Sequence, residues 1–446
     1  MRIADPPDKS GIFGGIDAER LLDILKTVDG QNGHEDYVHW DKLRHLTPPT
    51  GITSEEWWVA IKFARRPLWR RLPLKDAAGA PFVYAMPDEL LRLLHFVDQR
   101  CSGEIAMSEM VTADEQARRH YLVSSLMEEA IRSSQLEGAT TSRAVAKELL
   151  RSGRAPKNRS ERMIVNNYLA LQYMREEISD ELRPEAVLEL QRILTDGTLD
   201  NPDAAGRLQR PDEERVAVYD RATGELTHQP PPADQLPERL KALCHFANQA
   251  GEKHGAFMHP VVRGVLLHFW LAYDHPFEDG NGRTARALFY WYMRTRGYWL
   301  VEYLSISRIL RKAPAQYSKS FLLTETDERD TTYFVLYQLQ VLQRAVRELH
   351  EHLRTKMDEV RSVEQLIKGS AEFNHRQLAL LSNAVRDTSQ RYTMQSHSAS
   401  HGVTHETARS DLGDLTARGL LERRRDGRKH VFVAVEDLAE RLKTLE

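Results

Sequence analysis

The chain of 446 residues is longer than a single hydrophobic core usually supports, so we expect two or three domains. Hydrophobic residues make up 41% and charged residues 28% of the sequence, which is the composition of a soluble globular protein. The formal net charge of -3 gives no general reason to expect nucleic acid or an anionic membrane as a partner, so such binding would need a local basic patch.

The two cysteines, Cys101 and Cys244, are far apart and outside any metal-ligand spacing, which argues against a disulfide framework or a zinc site. The first residues carry acids and prolines where a signal peptide needs an apolar run. The longest apolar stretch, Val265 to Tyr273, is about half the length that a membrane span requires. We therefore expect a soluble, cytoplasmic protein with no membrane partner.

The first predicted domain, residues 1–115, is mixed and mostly helical. Its helix around EEWWVAIKFA begins at a Thr53–Glu56 start signal, and PFVYAMP is typical of a short strand. The Trp57–Trp58 pair is more typical of a core than of a binding surface. No chemistry is apparent in this segment.

The second predicted domain, residues 116–350, consists mainly of helices, because apolar residues recur at intervals of three and four. One segment, RVAVYDRATGELTHQPPP, breaks this pattern. Alternation in VAVY, a turn-rich DRATGE and a returning ELTH predict a β-hairpin.

The stretch HPFEDGNGRTAR, from His275 to Arg286, contains the residues with the clearest chemistry. An apolar helix ends before Pro276, and a glycine-rich loop leads into a new helix near Arg283. Free amides and the helix dipole at such a junction favour phosphate, and Arg283 and Arg286 can share one helix face to bind it. Asp279 is a suitable oxygen ligand for Mg²⁺ at the mouth of the loop, and His275 is suited to accept a proton near pH 7.

Plainer interpretations of the same residues exist. Asp-Gly or Asn-Gly usually marks a hairpin turn, but the flanking patterns are helical. A histidine at a helix end, taken alone, is more often a partner of the helix dipole. No Walker-type phosphate loop occurs in the chain, so a P-loop enzyme is not the competing interpretation.

HPFEDGNGRTAR resembles the Fic family motif, His-x-Phe-x-Asp/Glu-Gly-Asn-Gly-Arg-x-x-Arg, at every defined position. The resemblance implies a mainly α fold with a Fic helical core, and a reaction in which AMP passes from ATP to a protein hydroxyl. It implies that His275 is the catalytic base, that Phe277 anchors the loop in the core and that Asp279 binds Mg²⁺. The same resemblance implies a set of ATP-binding residues: Gly280, Asn281, Gly282, Arg283, Arg286 and Tyr317.

Two further segments resemble elements of this family. The hairpin residues Val216, Ala217, Val218 and Tyr219 resemble the flap that aligns an extended target by strand addition. The segment Ser133 to Gly138 resembles the inhibitory motif Ser/Thr-x-x-x-Glu-Gly/Asn, in which Ser133, Glu137 and Gly138 are the defined positions. The implied partner of Glu137 is Arg286, which would make the enzyme self-inhibited. The plainer interpretations are an ordinary surface hairpin, an ordinary helix-end glutamate and, for Tyr317, a core aromatic.

The third predicted domain, residues 370–446, reads as helix, helix and a basic hairpin, which is the order of a winged helix-turn-helix. Thr404 to Arg409 opens the expected recognition helix. The arginines Arg423, Arg424 and Arg425, with Arg428 and Lys429, would charge the wing. DNA and protein are equally open as its partner.

The sequence therefore predicts an ATP- and Mg²⁺-dependent protein adenylyltransferase acting on a Tyr, Thr or Ser hydroxyl, in another protein or in itself, and inhibited by Glu137. The alternative is a DNA-binding transcriptional regulator whose Fic core only senses nucleotide. An intact Gly-Asn-Gly-Arg argues against the phosphate transfer of Doc-type kinases, whereas UMP or phosphocholine transfer stays open.

Overall fold

The computed structural model of the chain describes residues 3–8, 17–29, 37–102, 115–219, 224–249, 257–369, 372–386, 390–426, 429–435 and 437–443. These residues are mainly helical and include three small antiparallel sheets. They divide into two compact units, of which the first comprises Met1–Ala106 and Arg119–Val346 and the second comprises Met107–Arg118 and Arg347–Glu446. Within the described residues, no helix combines the length and apolarity needed to cross a membrane.

The first unit contains most of the helices, two β-hairpins and the predicted motif. Its elements in chain order are α1 (Ala18–Asp29), α2 (Trp40–Leu43), α3 (Ser54–Arg65), β1 (Arg70–Lys75), β2 (Pro81–Tyr84), α4 (Asp88–Cys101), α5 (Glu115–Leu136), α6 (Arg143–Ser152), α7 (Arg159–Glu176), α8 (Pro184–Thr195), β3 (Val218–Tyr219), β4 (Leu226–His228), α9 (Leu236–Asn248), α10 (Pro260–Asp274), α11 (Asn281–Thr295), α12 (Ile306–Lys312), α13 (Pro314–Thr326) and α14 (Thr332–Gly369). Helix α14 continues into the second unit.

Helices α10 and α11 pack against each other at the centre of this unit. Their side chains are buried on nearly every face, as expected of helices enclosed by others. The loop between them carries the predicted motif, and it is therefore fixed at both ends by the best-packed part of the core.

Helix α3 contacts the later helices of this unit through buried polar side chains. Lys62 on α3 donates to Asp327 at 2.8 Å, and Arg65 donates to the Tyr333 hydroxyl at 2.9 Å. Trp58 is fully buried, as predicted. The compact first unit thus joins two segments that the sequence analysis separated at residue 115, and the three-domain division stays a prediction.

The second unit has its own hydrophobic core, with Leu381, Leu412 and Leu420 fully buried in it. Its elements are α15 (His375–Arg386), β5 (Arg391–Tyr392), α16 (Met394–His401), α17 (His405–Ala417), β6 (Leu421–Asp426), β7 (Lys429–Ala434) and α18 (Leu438–Lys443). The strands form one antiparallel sheet in the order β5-β7-β6. The predicted helices and hairpin are present, whereas α16, β5 and α18 were not anticipated. Assignment of this unit to the winged helix-turn-helix class stays a prediction.

Candidate active site

Helix α10 ends at the histidine of the motif because Pro276 follows it. His275 takes a left-handed backbone conformation, with φ of 45°, and its amide donates to Leu271 O at 3.0 Å. Its half-buried imidazole has a pKa lowered to about 4, chiefly by burial and then by the nearby charges of His228 and Arg215. The ring is therefore neutral at pH 7 and able to accept a proton.

The motif loop is closed by the side chain of Asn281. The Phe277 amide donates to Asn281 Oδ1 at 2.9 Å, and Asn281 Nδ2 donates to Phe277 O at 2.8 Å. The Phe277 ring is fully buried, so it anchors the loop in the core as the resemblance implied. Both ends of the Asn281 side-chain amide are used within the loop, and its backbone N–H is free to point toward an anion.

The start of α11 is an uncapped helix N-terminus. Gly280, at the N-cap position with φ of 89°, has no side chain to accept from the first turn. The amides of Asn281, Gly282 and Arg283 are therefore the donors that an anion would find there. A Cβ built on Gly282 would stand 2.2 Å from Glu137 Oε1, so a carboxylate oxygen lies at this N-terminus.

Glu137 follows the last residue of α5 and pairs with the second motif arginine. Arg286 Nη2 lies 2.8 Å from Glu137 Oε1, and Arg286 Nε donates to Ser133 Oγ at 2.9 Å. The Arg286 side chain is 3% exposed, and its Nη1 has no hydrogen-bond partner. Gly138, with φ of 105°, turns the chain away after the carboxylate. The geometry brings together the residues of both sequence motifs.

Arg283 and Asp279 form the other charged pair of the loop. Arg283 Nη2 lies 3.1 Å from Asp279 Oδ2, and Arg283 Nη1 donates to Leu194 O on α8 at 2.9 Å. The Arg283 side chain is 0% exposed, so it lies beneath the loop, and its phosphate contact stays a prediction. The Asp279 side chain is 38% exposed at the mouth of the loop.

Tyr317 lies on α13, half-buried beside aromatic side chains. Its hydroxyl forms a 2.8 Å hydrogen bond with His268 Nε2, and its ring meets Phe321 edge to face. Burial raises the pKa of Tyr317 and lowers that of His268 to about 3. The charges of Arg286 and Glu137 also act on the pKa of the Tyr317 hydroxyl, so Tyr317 lies near the charged pair of the site, and its adenine contact stays a prediction.

The predicted hairpin is present as β3 and β4, with Val218 opposite His228. Val216 and Ala217 precede the strand, and Tyr219 is 58% exposed on it. The tip at 220–223 lies outside the described residues.

Arg215 and His228, at the two ends of the hairpin, contact the last turn of α10, and the sequence analysis did not identify either. Arg215 Nη1 and Nη2 donate to His275 O at 3.0 Å and Asp274 O at 2.5 Å. Arg215 lies three residues before β3 and His228 is the last residue of β4, and no local sequence pattern marked either.

Residues 181–293 match the Fic/DOC family model. The chain is 29% identical over 170 residues to protein adenylyltransferase fic-1 of Caenorhabditis elegans, covering 36% of this chain and 30% of that protein. It is 37% identical over 71 residues to protein adenylyltransferase Fic of Drosophila virilis, covering 16% of this chain and 14% of that protein. The chain thus spans less than a third of the length of these relatives.

A solved structure of a Fic family protein from Desulfovibrio desulfuricans G20 is similar in fold. Its TM-score is 0.53 at 19% identity, over 79% of this chain and 98% of that one. The similarity extends well beyond residues 181–293 and supports a shared helical architecture.

Proposed function

The chain is a Fic/DOC family protein, and we propose that it is a protein adenylyltransferase that transfers AMP from ATP to a hydroxyl side chain of a protein. One observation carries the proposal. The uncapped N-terminus of α11 and the buried guanidinium of Arg286 would together form an anion site beside the neutral imidazole of His275.

In the proposed reaction, the hydroxyl oxygen of the target attacks the α-phosphorus of ATP. His275 takes the hydroxyl proton, the bond from the α-phosphorus to the bridging oxygen breaks, and pyrophosphate leaves. The α11 amides and Arg286 hold the phosphates in line and stabilise their charge, so catalysis is mainly positional and electrostatic.

The residues present also fit a magnesium ion. Among the described residues, no group of three or more His, Cys, Asp or Glu side chains could hold a metal by itself. Mg²⁺, however, commonly binds one or two carboxylates together with substrate phosphates. Asp279 would hold it, and the ion would neutralise part of the phosphate charge.

Self-inhibition by Glu137 belongs to the same proposal. Its carboxylate lies at the helix N-terminus and uses the guanidinium that would bind the γ-phosphate. ATP would then bind with its phosphates displaced, and misplacement by about an ångström costs on the order of a hundredfold in rate.

The proposed target site is the hairpin. An extended target segment would pair along it, and the exposed Tyr219 and Leu226 side chains would contact that segment. The target is another protein or a second region of this one.

The direct test is incubation of Glu137→Gly with ATP, GTP, UTP and CTP, each labelled at the α-phosphate, followed by mass spectrometry of the modified protein. The proposal predicts label from ATP and AMP as the added group. Label from UTP alone, or none from any nucleotide, would reject it.

A second function, nucleotide-sensing DNA binding, is favoured by the second unit. Strand β6 exposes three consecutive arginines, Arg423 to Arg425, and α17 exposes Arg409. Arg424 is paired with Glu422 at 2.9 Å, which leaves Arg423 as the better test. Arg423→Ala should weaken DNA binding across sequences and reduce its salt dependence. DNA binding without any AMP transfer would select this function, and no binding at low salt would indicate a protein partner.

A further inference from the structure

The last carbonyls of α10 all have partners, although a helix end normally leaves them without any. Leu271 O accepts from the His275 amide at 3.0 Å, within the helix. Ala272 O lies 3.4 Å from Nδ1 of His275 itself. The acceptors after Ala272 are bound from outside. His228 Nε2 lies 2.7 Å from Tyr273 O, and Arg215 reaches Asp274 O and His275 O. Cations at this position also complement the helix dipole.

His228 meets an acceptor at each of its two ring nitrogens. Its Nε2 lies 2.7 Å from Tyr273 O, and its Nδ1 lies 2.8 Å from the Glu325 carboxylate. The buried ring is therefore held between the end of α10 and a carboxylate on α13.

Arg215 connects three parts of the chain at once. Besides the α10 carbonyls, its Nε donates to Pro231 O at 2.8 Å, just after the hairpin, and its Nη1 donates to Gln209 Oε1. The backbone N–H of Gln209 in turn donates to Pro276 O at 2.9 Å. A displacement of either end of the hairpin would therefore displace the backbone of His275.

We propose that Arg215 and His228 form a clamp through which the hairpin positions His275. Both are positioning residues, since they contact the backbone around the base rather than the reacting atoms. The clamp rests on the proposed function: a target strand paired on the hairpin is brought into register with the base by the same two side chains.

The clamp also acts on the charge of the base. The groups that face His275 are His228 and Arg215, which lower its pKa, and Glu137, which raises it. His275 also holds a left-handed backbone conformation that a non-glycine residue rarely adopts without support. Loss of the clamp should therefore misplace the base and raise its pKa.

The test uses Glu137→Gly as the parent protein and adds Arg215→Met, which keeps an unbranched stem as far as the position of Nε and removes the charged guanidinium. The matched control is Arg207→Met. Arg207 lies in the same segment and donates to Glu213 at 2.6 Å and to backbone carbonyls, and none of its hydrogen bonds among the described residues reaches α10.

Two readouts separate positioning from mere folding. One is kcat and KM for ATP across pH. The other is the titration of His275 by NMR in protein labelled at histidine Cε1, with its resonance assigned by its loss in His275→Ala. We expect Arg215→Met to lower kcat by roughly a hundredfold with KM for ATP near the parent value, since the anion site is intact. We also expect the pKa of His275 to rise from about 4, while Arg207→Met changes neither readout.

A His275 titration and kcat in Arg215→Met equal to those of the control would overturn the clamp. If Arg215→Met does not fold, the same two measurements are made on His228→Gln, which retains donors but carries no charge. A His275 titration and kcat equal to those of the control would again overturn the clamp. Absence of AMP transfer in the parent would reject the proposed function instead, and the NMR titration would still decide whether the clamp exists.

Discussion

Glu137→Gln changes one atom of the proposed inhibitory contact and should strengthen ATP binding. The side chain keeps its size, but the negative charge 2.8 Å from Arg286 Nη2 is lost. The Arg286 guanidinium is buried and Glu137 is 25% exposed, so the contact is only partly screened by solvent. A hydrogen bond between charged groups contributes about 1.5–3 kcal/mol, which corresponds to roughly tenfold to a hundredfold in affinity.

Titration calorimetry with ATP and with AMP measures this effect. Only ATP carries the γ-phosphate that competes with Glu137, so AMP affinity should change little. Glu128→Gln is the matched control, because Glu128 lies on α5, the helix that Glu137 directly follows, and pairs with Arg132 and Arg143 instead. An ATP affinity in Glu137→Gln no higher than in Glu128→Gln would refute the assignment of Glu137 as a competitor of the γ-phosphate.

Three further predictions follow from the site. In the Glu137→Gly protein, Gly282→Ala should abolish labelling. A Cβ at position 282 stands 2.2 Å from the place that Glu137 Oε1 occupies in the wild-type chain, so the added methyl would block the space where phosphate would bind. Full labelling would show that phosphate does not bind there. Activity should stay nearly constant from pH 7 to 5.5, because a base with a pKa of about 4 remains neutral, whereas an ordinary histidine would be only about 10% neutral at pH 5.5; a pH–rate profile decides. Truncation after Gly369 should leave AMP transfer intact, since the described site residues lie in the first unit; a labelling assay in which the truncated protein is inactive would contradict this.

The sequence predicted those elements whose conformation is determined by neighbouring residues in the chain. The helix end before Pro276, the glycine loop and the hairpin are local features, and all are present. Helix α11 begins at Asn281, two residues earlier than predicted, because the loop turns into the helix at Gly280. The proximity of Glu137 to Arg286, 149 positions apart, followed only from the family resemblance.

The remaining features depend on tertiary contacts that no local pattern records. Arg283 shares a helix face with Arg286, but α8 covers it and makes it a support for the loop. The capping of α10 by Arg215 and His228 needs the hairpin to lie against that helix end. The packing of the first hundred residues through Lys62 and Asp327 joins positions 265 apart.

The central claim is that His275 is the base for AMP transfer, and one comparison tests it most directly. Glu137→Gly and the double variant Glu137→Gly, His275→Ala are incubated at equal concentration with ATP labelled at the α-phosphate, and ATP affinity is measured alongside. The account predicts strong labelling by the single variant and background labelling by the double variant, with ATP affinity retained because the α11 amides and Arg286 remain. Equal labelling by both variants would contradict the assignment of His275 as the base.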